Sequence, residues 1–209
     1  LLRGPQSGLY GANAHSGVLT IETKSGRGLA KPEFTAKLEG GTQRSAEAAA
    51  TFRGALGPFY GSTTASYATT NGFNIARDGN ETDGARRAAV TSKVGVDLTP
   101  YFNIEGFVRH LYRNAQTDPR DPFFLNNGLV VDAPGYSTKT EETLARVEGT
   151  LKLFDDRWIQ SAKWTGSRTG GRGEEDFKDT SSSLGTGETV TYKSSVLLDS
   201  NFAGGEKHR

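Results

Sequence analysis

Cysteine and methionine are both absent from these 209 residues. Without cysteine there can be no disulfide, no Cys-ligated zinc and no thiol nucleophile. A charge excess of one sign is missing too. Lys and Arg number 25 against 24 Asp and Glu, a net of +1, so no basic stripe marks out nucleic acid as a partner. No run approaches the roughly 18 apolar residues of a membrane-crossing helix. Mean hydropathy is −0.56, which reads as soluble, yet strands that alternate apolar and polar residues between polar loops average to much the same value. Leu1 is not an initiator Met, and the chain opens on no charged-then-apolar leader. Its last residues, Gly204-Gly205-Glu206-Lys207-His208-Arg209, are turn-like, and both ends are expected to be cuts in a longer chain.

What is present points to strands. Glycine occurs 27 times, Thr and Ser are abundant, and β-branched and aromatic residues recur at alternating positions. The spacing predicts strands over Glu33–Gly41, Ala46–Leu56, Phe59–Phe73, Ala85–Leu98, Phe102–Ala115, Glu142–Phe154, Arg157–Thr169 and Glu188–Ser200. Most match the roughly ten residues that a tilted membrane strand needs, against five or six in ordinary sheets. Gly57-Pro58, Thr99-Pro100 and Asp155-Asp156 read as tight turns. Asn74–Gly84, Gln116–Thr140 and Gly170–Gly187 read as long polar loops. Short turns on one side and long loops on the other are the mark of an outer-membrane barrel; the short connection Thr42–Ser45 departs from that alternation.

The faces follow the same logic. Ala145, Val147, Gly149, Leu151 and Leu153 alternate with Arg146, Glu148, Thr150 and Lys152. Val90, Val94, Val96 and Leu98 oppose Arg87, Lys93 and Asp97, and Val190, Tyr192, Val196 and Leu198 oppose Thr191, Lys193 and Asp199. A soluble sheet with one wet face alternates in the same way; it would require the Val147/Leu151/Leu153 face to pack on a second sheet. Aromatics separate the two. Phe59-Tyr60, Tyr101-Phe102 and Phe154 with Trp158 flank the short turns, as an interfacial girdle would, and Tyr112 and Trp164 suit the opposite girdle.

The first residues, Leu1–Lys24, combine a Gly4-Pro5 turn, glycine breaks at Gly11 and Gly17, and a strand through Val18 and Ile21. As a string, Arg3-Gly4-Pro5-Gln6, Leu9-Tyr10-Gly11, Ala14, Gly17-Val18, Ile21 and Thr23-Lys24 resemble the end of the plug domain of TonB-dependent outer-membrane receptors. His15-Ser16 and Leu19-Thr20 depart from the family's usual residues. The resemblance implies an all-β fold: the C-terminal end of a plug (residues 1–24), a linker (25–31), and residues 32–209 as the first part of a transmembrane antiparallel β-barrel. These would be eight of about 22 strands. It also implies energy-dependent uptake of a scarce ligand, of the siderophore–iron, haem or cobalamin class. The partners it implies are TonB, bound through a region upstream of Leu1, and outer-membrane lipid, with a monomer at full length in the bacterial outer membrane. A passive porin or an adhesin-type barrel without an energised plug is the alternative, though a porin lacks the Leu1–Lys24 string.

Candidate sites are few. Asp78, Asn80, Glu81 and Asp83 concentrate the oxygen donors that Ca²⁺ prefers, although Thr82 and Asp83 break the EF-hand pattern and a solvated turn has the same composition. Glu174-Glu175-Asp176 is a similar, sparser cluster. His15, His110 and His208 lack metal-ligand spacing. Gly185-Thr186-Gly187 precedes a strand and lacks the phosphate-binding Lys of a P-loop, and Asn80-Glu81-Thr82 is a glycosylation sequon with no bearing on a bacterial envelope protein. No Ser/His/Asp or paired-carboxylate set can be assembled, so neither an enzyme nor a resident cofactor is expected.

Overall fold

The computed structural model describes residues 2–3, 17–18, 23–76, 79, 81–119, 130–133, 135–176 and 178–197. Two short strands, β1 (Leu2–Arg3) and β2 (Gly17–Val18), pair antiparallel, with Leu2 opposite Val18. The remaining strands are β3 (Glu33–Gly41), β4 (Ser45–Leu56), β5 (Phe59–Thr70), β6 (Ala85–Thr99), β7 (Phe102–Gln116), β8 (Tyr136–Leu153), β9 (Trp158–Glu175) and β10 (Lys178–Val196). These form one eight-stranded sheet in which each strand is antiparallel to the next in chain order. The described residues contain no helix. Left-handed backbone closes two of the tight turns, at Gly57 (φ 57°) and at Phe154, Asp155 and Asp156 (φ 55°, 54° and 65°). Asp tolerates that region better than most residues, and Lys152 Nζ holds Asp156 Oδ2 at 2.9 Å.

Several expected boundaries move. β5 stops at Thr70, short of Phe73, where Gly72 turns left-handed (φ 66°) and donates its N–H to Thr70 Oγ1. β8 begins at Tyr136, inside the loop expected over Gln116–Thr140. Gly170–Gly187, expected as a long loop, is instead the far halves of β9 and β10, with Gly170 opposite Leu184 and Arg172 opposite Ser182. There the ladder persists while both faces are polar, so no alternation marks it as strand.

Residues directly opposed across antiparallel pairs share a face, so the register assigns two faces without ambiguity. One is polar: Glu33, Thr51, Thr64, Lys93, Glu105, Arg146 and Lys163 lie on it. Lys93 Nζ and Arg146 Nη2 both contact Glu105 Oε1, at 3.1 and 3.3 Å. The other face is apolar, and its large side chains are bare: Phe34 is 70% exposed, Val147 50% and Val190 78%. Among the described residues no second sheet covers it, and only Tyr60 and Ala76 are buried apolar side chains. Tyr60, expected beside Phe59 in an aromatic girdle, is buried on the polar face instead. Phe59, Phe154 and Trp158 lie at the short-turn end, where Phe154 and Trp158 stack at 6.2 Å.

The apolar zone crosses the sheet obliquely. One register row runs Ala36, Ala50, Ala65, Val90, then His110, Thr143, Arg168 and Thr186, passing from apolar to polar halfway across. A row nearer the short turns runs Gly61, Val94, Gly106, Val147, Trp164 and Val190, apolar throughout. The zone's upper limit thus slides from the Leu38–Ala48–Tyr67–Ala88 row at one edge to the Val94 row at the other. That is about 20 Å of strand over seven spacings of about 4.8 Å, a slope of roughly 30°.

Candidate functional site

Loops 71–84 and 117–135 emerge at the same end of the sheet, because each follows an upward strand of the meander. The first is stiffened locally: Asp83 donates its N–H to Phe73 O at 3.1 Å, and Ile75 N donates to Asp83 Oδ2 at 2.8 Å. The second is braced alike, with Val131 N donating to Pro119 O and Ala133 N to Asp118 Oδ1, both at 3.1 Å. Two contacts join them. Gly84 and Gln116 exchange hydrogen bonds of 2.8 and 2.9 Å, and Asn74 Nδ2 donates to Asp132 Oδ1 at 3.4 Å. Gly79 sits so close to Asp132 and Asn74 that a Cβ would overlap both side chains.

Between the loops, carboxylate oxygens of Glu81, Asp83 and Asp118 all lie within 4.8 Å of one another. Three oxygens here are buried without a hydrogen-bond partner: Asn74 Oδ1, Asp83 Oδ1 and Asp118 Oδ2. Each Asp therefore commits one oxygen to a backbone N–H and leaves the other buried and unpaired. Burial raises the Glu81 carboxyl above its ordinary value, and the charges of Asp132, Asp118 and Asp83 push it further. Buried acceptors of one sign with no donor are costly. The donor set is all oxygen, as a hard cation requires, and 4.8 Å is about twice a Ca²⁺–O distance. The arrangement fits calcium, with Asp83, Asp118 and Glu81 as charged ligands.

Of the expected ligands, Glu81 and Asp83 are brought together, while Asp78 and Asn80 lie outside the described residues. Asp118, Asn74 and Asp132 were not legible as partners from the local motif, since they come from a different loop or precede the acidic run. The up-and-down strand order was the available signal, because it places every second connection at the same end. Glu174 is not a comparable ligand: it is 8% exposed and held by Lys139 Nζ at 2.6 Å. His110 Nδ1 lies 2.9 Å from Thr143 Oγ1, away from the cluster. Gly185, Thr186 and Gly187 are within β10. Of the plug-like string, Arg3, Gly17 and Val18 fall in the β1–β2 pair; Gly4, Pro5, Gln6, Tyr10 and Gly11 lie outside the described residues, as do His15 and His208. No protein-family model matches the chain, and no curated protein sequence matches it.

Proposed function

We propose that this chain is the end of a plug and the first eight wall strands of a bacterial outer-membrane barrel. It serves a TonB-coupled receptor that imports a scarce ligand of the siderophore–iron, haem or cobalamin class. The observation that carries the barrel is the oblique apolar zone. A sheet lying flat against a second sheet has an apolar patch set by the partner's outline; a sheet crossing a planar slab has a stripe inclined to its strands. The slope of roughly 30° stands beside the 35–45° strand tilt of membrane barrels. Bare Phe, Val and Trp side chains on that stripe suit lipid, and the ion-paired opposite face suits a wet lumen.

The coupling to TonB and the ligand class rest on the resemblance of the Arg3-Gly4-Pro5-Gln6 to Thr23-Lys24 string to receptor plugs. The acidic cluster fits this reading as a cation clasp that holds two long loops together at the outer mouth, where ligand would arrive. The test is made on the full-length protein. It should fractionate with the outer membrane, shift its gel mobility on boiling, and support ligand uptake that stops when TonB is deleted. Uptake that persists without TonB would make the barrel passive and overturn the coupling.

A further inference from the structure

Residues 23–32 lie on the sheet before the chain enters β3. Gly26 is buried, and a Cβ there would overlap the carbonyl oxygens of both Gly54 and Gly61. Glycine alone lets this stretch lie flat across β4 and β5. From that seat Arg27 reaches over the polar face. Its Nη2 donates to Asp97 Oδ1 and to the Tyr60 hydroxyl, each at 2.6 Å, and its guanidinium lies 4.4 Å from the Tyr60 ring centroid. Tyr60 is only 5% exposed and rests on Gly95, where a Cβ would overlap its ring. Arg27 N donates to Ser25 Oγ, Leu29 N donates to Gly26 O, and Gly28 is left-handed (φ 76°), so the chain turns back toward Glu33. One guanidinium thus ties the segment to β5 and β6 together, near the short-turn ends of both. A planar fork that donates to an anion while stacking on a ring is chemistry that Lys cannot reproduce.

The position of this tie gives it a mechanical meaning. β3 is the first strand of the sheet, exposed along its whole length, and among the described residues it is hydrogen-bonded to β4 alone. Tension arriving through residue 32 falls first on the Glu33 end of β3 and would open its pairing one residue at a time, the weakest way to load a sheet. We propose that Gly26 and Arg27 form an anchor that stops displacement of the preceding segment before it reaches β3. The anchor itself belongs to the sheet whatever surrounds it; its role as a load stop for a moving plug rests on the receptor reading.

These 209 residues contain no cysteine, so once any cysteine elsewhere in the full-length protein is replaced by Ser, a single spin label at Ala30→Cys, an exposed position, reports on the segment. The expected spectrum is broad and immobilised, and R27A and D97N should each lose the immobilised component, with Arg27→Lys recovering only part of it. In force spectroscopy, with the handle attached ahead of residue 23, R27A should lower the force at which β3 leaves the sheet. A label equally immobilised in R27A and D97N overturns the anchor, and an unchanged unzipping force in R27A overturns the load stop. Gel mobility on boiling, read on the same samples, tests the barrel separately; a mobilised label on a protein without that shift would keep the anchor and sink the receptor.

Discussion

Asp83 and Asp118 stand on different loops, yet each holds one backbone N–H and leaves its other carboxylate oxygen buried and unpartnered in a shared cluster. Two such oxygens repel unless a cation lies between them. Asp118→Asn should therefore keep the Ala133 N–H bond while removing a charged ligand. At calcium near one hundred times its dissociation constant, the full-length protein should gain about 2.7 kcal/mol over the chelator-treated form. The variant should lose most of that gain, as measured by thermal unfolding with and without chelator. An equal calcium response in both proteins would remove Asp118 from the site.

On the calcium reading, proton and cation compete for Glu81. Its carboxyl is raised above the ordinary 4.5 by burial and by Asp132, Asp118 and Asp83. A raised carboxyl binds a proton more tightly in the folded state, so without cation the cluster costs stability as pH rises from the unfolded value through the folded one. Adding the cation reverses this, because it favours the ionised form. Calcium affinity should consequently begin to fall at a pH above 4.5 on acidification, and Glu81→Gln should flatten that part of the profile. Titration of calcium binding between mildly acidic and neutral pH reads both effects.

Strand existence was legible from residue pattern, and boundaries were not. In Ala145–Leu153, apolar and charged residues alternate because one face is apolar and the other polar, so the period of two is visible in the residues themselves. Beyond Thr169 both faces of β9 and β10 are polar, the period vanishes, and Gly170–Gly187 looks like a loop although its ladder runs on with one irregularity between Asp179 and Ser181. Glu81 and Asp83 were legible as neighbouring carboxylates because they sit in one short acidic run. Asp118 was not, since only the meander brings its loop alongside. The burial of Tyr60 was hidden as well: its neighbour Phe59 suggests a girdle, and nothing local announces that Arg27 lies across it.

Gly95 should tolerate no side chain while Tyr60 is present. A Cβ there overlaps the phenol ring, and overpacking of this kind typically costs about 1–3 kcal/mol. Gly95→Ala should destabilise the protein by that order and release Arg27 from Tyr60. Combining it with Tyr60→Ser, which clears the ring, should recover part of the loss in denaturant unfolding. If the single and double variants are equally destabilised, Tyr60 does not rest on Gly95.

Val147 and Thr143 offer the sharpest test of what the apolar face meets. Both lie on that face of β8, but Val147 shares its row with Val94 and Trp164, inside the apolar stripe, whereas Thr143 shares its row with His110 and Arg168, above it. In lipid, Val147→Arg places a cation near the midplane and should cost roughly 2–4 kcal/mol, while Thr143→Arg lies near the interface and should cost about 0–1 kcal/mol. On a water-exposed sheet both substitutions are surface changes, each worth about 0.5 kcal/mol or less. The difference between the two variants, measured by denaturant unfolding of the full-length protein from lipid vesicles, therefore separates the environments even if its absolute stability is unknown. Equal costs at the two positions would mean that the stripe does not mark the edge of a membrane.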